Sequence, residues 1–104
     1  MLKFRKKPQV PRTLYDSPLQ IACYKGHTEI VKMLLADDRY NPLLNKLYLL
    51  HTACRQGHKD LVQILLNDER IDPNSINKTG VTPLHCACKN EHIEIIEILL
   101  NHPR

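Results

Sequence analysis

Apolar residues gather in three dense runs along the chain. They are Ile30, Val31, Met33, Leu34 and Leu35, then Leu61, Val62, Ile64, Leu65 and Leu66, then Ile95, Ile96, Ile98, Leu99 and Leu100. An acid opens each run (Glu29, Asp60, Glu94), where the positive end of a helix dipole favours negative charge. The pattern predicts three helices, each apolar over more than one stripe. A shorter helix is predicted ahead of each. In the first and third cases Ser17-Pro18 and Thr82-Pro83 place a hydroxyl at the N-cap and a proline at the first helical position, where its missing N–H is no loss. Gly26 and Gly57 follow about two turns later, suited to end a helix in the left-handed conformation. The polar, turn-prone stretches 36–46 and 67–81 separate the pairs, the second holding Asp72-Pro73-Asn74 and Lys78-Thr79-Gly80.

These helical pairs are copies of one another. A shift of 31 residues superposes Leu19, Ala22, Cys23, Gly26, His27, Val31, Leu34, Leu35, Asp37, Arg39 and Pro42 on Leu50, Ala53, Cys54, Gly57, His58, Val62, Leu65, Leu66, Asp68, Arg70 and Pro73. A further shift of 34 carries Leu50, His51, Ala53, Cys54, His58, Ile64, Leu65 and Leu66 onto Leu84, His85, Ala87, Cys88, His92, Ile98, Leu99 and Leu100. The chain therefore holds three units. Because a lone helical hairpin cannot cover so broad an apolar face, neighbouring units must stack and bury it between them.

The run Thr82-Pro83-Leu84-His85-Cys86-Ala87-Cys88, followed by Glu91-His92-Ile93-Glu94-Ile95-Ile96 and Leu99-Leu100, closely resembles the ankyrin repeat, with its period near 33 residues. Ser17-Pro18-Leu19-Gln20 and Leu49-Leu50-His51 are weaker versions of the same start. The resemblance implies an all-α solenoid of stacked helix-turn-helix units joined by hairpin loops. It divides the chain into an arm at 1–12 and repeats at 13–44, 45–78 and 79–104, the second with a shortened leading loop. Three departures stand out. Tyr48-Leu49 occupies the Thr-Pro position, so the hairpin between the first two units is expected to be abbreviated or irregular. Glu91 replaces the turn glycine, which costs roughly 1 kcal/mol if that residue is left-handed. The last helix stays apolar where a terminal repeat normally turns polar, so a fragment of a longer array is expected.

Charge changes the picture little. The chain of 104 residues carries a net +4, but Lys3, Arg5, Lys6, Lys7 and Arg12 supply five of the fifteen basic residues within the first twelve positions. The remainder has ten basic against eleven acidic side chains, so the basicity belongs to a disordered arm and not to the body. No run approaches the roughly 18 apolar residues of a membrane span, and the N-terminus lacks the apolar core of a secretory signal. An intracellular protein is expected, cytoplasmic before nuclear.

Candidate chemistry is sparse. Cys23, Cys54 and Cys88 recur one per unit, and stacked helices about 8 to 10 Å apart hold them beyond disulfide reach. Cys86 and Cys88 point to different faces of one helix and form a poor chelate. His27, His58 and His92 open the second helices and His51 and His85 repeat in the first, a recurrence that marks scaffolding, whereas catalysis needs its histidine once. No phosphate loop or nucleophile elbow is present. No cofactor, metal, small-molecule substrate or enzymatic activity is expected. The family resemblance implies instead a protein-interaction scaffold whose concave face is built from Tyr24, Lys25, Arg55, Gln56, Lys89 and Asn90 at the ends of the first helices, with Lys78, Thr79 and Val81 at a hairpin tip. The alternative is that the basic arm binds nucleic acid or an anionic membrane, with the repeats as a spacer.

Overall fold

A computed structural model describes residues 17–39 and 48–103. The arm at 1–12 and the hairpin expected to be abbreviated lie outside the described residues. Six helices follow in order: α1 (Pro18–Lys25), α2 (Thr28–Leu35), α3 (Leu49–Gln56), α4 (Lys59–Leu66), α5 (Pro83–Lys89) and α6 (Ile93–Asn101). Among the described residues there is no strand. Each odd-numbered helix turns back into the even one that follows it. α1, α3 and α5 pack side by side in one layer, and α2, α4 and α6 in a second.

The local causes are those the sequence predicts. Ser17 and Thr82 are extended N-caps whose hydroxyl oxygens accept the amides of Gln20 and His85 at 3.1 and 3.2 Å, and proline opens both helices. Gly26 (φ 76°) and Gly57 (φ 79°) are left-handed. Behind them the amides of His27 and His58 reach back to the carbonyls of Ala22 and Ala53, at 2.9 and 3.0 Å, which closes each helix. Glu91 takes the same left-handed conformation, φ 59°, without being glycine. Among the described residues Tyr48 is the other left-handed non-glycine, φ 52°. It caps α3 with no side-chain bond, while its carbonyl accepts both the amide and the hydroxyl of Thr52, at 3.1 and 3.2 Å.

The core is periodic because the chain is. Leu19, Ala22 and Cys23, then Leu50, Ala53 and Cys54, are buried along the first layer, and Val31, Leu61, Val62 and Leu65 along the second. Each fully buried leucine adds about 2 kcal/mol of transfer free energy, which helices of seven to nine residues need, since such lengths are marginal alone.

Polar ties cross the same junctions. His58 Nε2–H donates to the carbonyl of Tyr24 at 2.9 Å, and His92 Nε2–H to that of Arg55 at 3.0 Å. Each imidazole thereby lies over the turn glycine of the preceding unit. A Cβ added to Gly26 would sit 2.6 Å from His58 Nδ1, and one on Gly57 2.7 Å from His92 Cε1. At the far edge Arg70 Nη2 donates to the carbonyl of Leu35 at 2.9 Å while Asp68 braces the guanidinium.

Gly57 therefore meets two demands, a left-handed backbone and room for a ring, whereas Gly80 (φ 80°) has open space where its Cβ would go. Both alanine variants lose the conformational advantage of glycine, about 1 kcal/mol. Gly57→Ala also displaces His92 and its hydrogen bond, so it is expected to lose about 1 kcal/mol more than Gly80→Ala in urea unfolding. Equal losses would mean that the imidazole moves aside without cost.

Candidate protein-binding surface

The side chains at the ends of α1, α3 and α5 occupy two equivalent slots per repeat. Tyr24, Arg55 and Lys89 fill the first, Lys25, Gln56 and Asn90 the second. All are exposed except Gln56, which is half-buried. No acid lies in the first turn of these three helices, and each carries a cation in its last turn, where the negative end of the dipole favours it. The histidine ties hold the backbone carbonyls of Tyr24 and Arg55, so the first slot stands on a fixed base.

Not every slot residue projects into solvent. Arg55 leans over α5, with Nη2 3.6 Å from Cys86 Sγ, and Asn90 turns back so that Nδ2 donates to the Cys86 carbonyl at 3.0 Å. At the hairpin, Asn77 Oδ1 accepts the amides of Thr79 and Val81 and the Thr79 hydroxyl, at 2.8 to 3.0 Å. Lys78 and Thr79 are exposed on this tip. Val81 is half-buried against the core, and its carbonyl accepts His51 Nε2–H at 2.6 Å. The structure thus brings Tyr24, Lys25 and Lys89 to one layer as outward groups, leaves Arg55 exposed but leaning on α5, and gives Asn90 and Val81 local partners. Sequence reasoning passed over Asn77, although an asparagine ahead of Lys-Thr-Gly is a turn-forming signal. It also passed over the buried contact in which Gln20 Nε2 donates to Thr52 Oγ1 at 2.8 Å, a pairing 32 residues apart that no local pattern reveals.

The family match comes on top of this geometry. Residues 19–104 match the family model of ankyrin repeats, in three copies. The chain belongs to the ankyrin-repeat family. No curated protein matches it. Ankyrin repeats are in general protein-interaction modules and in general non-catalytic, and the match gives no support to the reading in which the arm binds nucleic acid or membrane. No described helix is long and apolar enough to cross a membrane.

In this ankyrin stack burial disfavours the charged form of His51, Cys23 and Cys54. His51 is buried, and because a carbonyl only accepts, its Nε2 must carry the proton. Among the described residues Nδ1 has no hydrogen-bonding partner, the Ser75 backbone approaching without bonding geometry. Burial pushes the His51 pKa below the usual 6.5, outweighing the opposing pull of the Val81 bond, and the charge of Arg55 adds to the depression. Burial also pushes the Cys23 and Cys54 thiols up to about 12, so they stay protonated. All four cysteines are free, and only Cys88 is exposed. Among the described residues no group of three His, Cys, Asp or Glu side chains could hold a metal ion. A broad, open depression of about 870 Å³ lies on the other layer, between α4 and α6, walled by Lys59, Asp60, Gln63, Glu94 and Glu97. It is bridged by an ion pair, Lys59 to Glu94 at 3.4 Å.

Two measurements follow from these environments. The unfolded chain takes up a proton at His51 more readily than the folded one, so this group's stabilisation is complete above pH 6.5 and is lost as pH falls below it towards the folded value. Unfolding free energy should decline from pH 6.5 to about 5, above the carboxylate range, and the decline should be shallower in His51→Gln. An unaltered slope in the variant would remove His51 as the cause. Among the thiols, Cys88 should react with a disulfide reagent in the native protein while Cys23 and Cys54 react only on unfolding. Rapid native modification of all four would contradict the packing.

Proposed function

We propose that this protein is a non-catalytic scaffold that binds a protein partner across the layer formed by α1, α3 and α5. The observation that carries the proposal is the first slot. Inside an ankyrin-repeat chain, Tyr24, Arg55 and Lys89 stand in one register, exposed, and the backbone of the first two is fixed by the histidine ties of the stack. A row on backbone held in this way needs little backbone ordering on binding, which lowers one of the main costs of association. Tyrosine and arginine are side chains on which interface energy tends to concentrate, and Lys25 and Lys78 extend the row as cations without a neighbouring acid in the first helices. The partner surface that complements such a row carries carboxylates and at least one apolar or aromatic group for Tyr24. Gln56, Thr79, Val81 and Asn90 shape the margins of the surface.

Simultaneous replacement of Tyr24, Arg55 and Lys89 by alanine is expected to abolish capture of the partner at unchanged helical content, since none of the three belongs to the buried core. Loss of roughly tenfold or more in affinity is the expected scale for removing central anchors. Gln63→Ala, on α4 beside the open depression, serves as the control. With a partner isolated by affinity capture, equal binding by the triple variant and the unaltered protein would refute the assignment. Loss in the control alone would move the site to the α4–α6 side.

A further inference from the structure

The lysines and arginines of the described residues fall into two sets. Lys32, Arg39, Lys59 and Arg70 each pair with a carboxylate of this chain, Glu29 at 3.2 Å, Asp37 at 2.6 Å, Glu94 at 3.4 Å and Asp68 at 2.6 Å. All four lie on the second helices or in the segments that follow them. Lys25, Arg55, Lys78 and Lys89 are the cations of the first helices and the hairpin tip, and among the described residues none of them has a carboxylate partner. The acids are sorted the other way. The first helices carry none, while the second carry Glu29, Asp60, Glu94 and Glu97. Asp72 and Glu91, which border the hairpin and α5, pair with none of the four free cations.

A single exposed cation is satisfied by water, so the sorting, and not any one residue, points to an anion. It draws an anionic surface to the α1–α3–α5 layer and turns it away from the α2–α4–α6 layer. Spacing narrows the class. Equivalent positions on stacked helices stand about 8 to 10 Å apart. Duplex nucleic acid places one charge per about 1.7 Å of its axis, far denser than this row can match. A protein segment in the polyproline II form rises about 3.1 Å per residue with about three residues per turn, so it shows the same face about every 9 Å. A carboxylate on every third residue therefore meets Arg55 and then Lys89 in step. Tyr24, 55% exposed and one repeat earlier, meets an apolar side chain three residues ahead of the first carboxylate. Arg55 needs no ion pair broken to take part, since its Nη2 rests on the Cys86 thiol, 3.6 Å away.

We propose that the partner is engaged through an extended acidic segment lying across the three repeats, with an apolar residue on Tyr24 and carboxylates at every third position on Arg55 and Lys89. Lys25 and Lys78 flank its path. This rests on the assignment of the α1–α3–α5 layer as the binding surface, and adds the charge, form and direction of what that surface takes.

Fluorescence anisotropy of the full chain with labelled synthetic peptides tests this. The probe is a peptide of about nine residues that opens on phenylalanine and carries glutamate at every third position after it, with proline and serine between. It is expected to bind about tenfold more tightly than its glutamine counterpart at low salt, and to lose most of that advantage at high salt. A peptide of the same composition with its glutamates adjacent is expected to bind more weakly. Arg55→Glu with Lys89→Glu is expected to lose the glutamate peptide and to gain its lysine counterpart, whereas Lys32→Glu with Lys59→Glu, on the other layer, leaves binding unchanged, both at unaltered helical content. The proposal is overturned if the glutamine or the adjacent-glutamate peptide binds equally well, or if reversal on the other layer weakens binding as much as reversal on the row. Tighter binding of single-stranded oligothymidylate or of phosphatidylserine vesicles than of the glutamate peptide also overturns it. Where the alanine variant of Tyr24, Arg55 and Lys89 loses a captured protein partner but the chain shows no preference for the glutamate peptide, this inference fails and the binding layer stands. Equal capture by that variant removes the layer itself.

Discussion

A helix of eight residues, or a hairpin of two, cannot bury the apolar surface that this sequence gives it. Everything else in the structure follows from that constraint. The second helices are apolar around most of their circumference, so each must be covered on two sides, by its own partner helix and by a neighbouring unit. Leu61, Val62 and Leu65, with no exposure at all, show the result in the central repeat, which has a described neighbour on both sides.

Stacking by apolar contact alone would allow units to slide or rotate, and the polar ties supply the register. A histidine at the start of each following second helix donates to a carbonyl at the end of the preceding first helix, and does so only because glycine leaves space for the ring. His51 to Val81 and Arg70 to Leu35 fix the two other edges. The same ties immobilise the backbone beneath Tyr24 and Arg55, so the rigidity of the proposed binding row is a by-product of how the repeats are registered.

Much of this was legible in the sequence, and the reasons differ by feature. The period, the Ser-Pro and Thr-Pro starts and the glycine turns are local chemistry repeated in register, and all appear as expected. Glu91 was legible as a left-handed residue because the other two units name the position as glycine. Tyr48 was not: nothing in a tyrosine signals positive φ, and only its place ahead of α3 imposes it. The second role of Gly26 and Gly57, as seats for an imidazole, was hidden because it joins residues more than 30 positions apart. Gln20 was hidden for the same reason. It stands where the later repeats carry His51 and His85, and it meets Thr52 across the junction. The candidate row came from family resemblance, which places slots but does not say that Val81 and Asn90 have local partners.

Each tie described between units runs from one repeat to the next. Tension applied to the ends of the chain would therefore pass through the two junctions in series, as through links, and repeats 1 and 3 would share load only by way of repeat 2. The junctions differ in make: a glutamine and a threonine at the heart of the first, a histidine and a hairpin carbonyl at the heart of the second. Such a stack stretches as a chain of unequal springs, and the central repeat, lying between the two junctions, is strained from both sides at once.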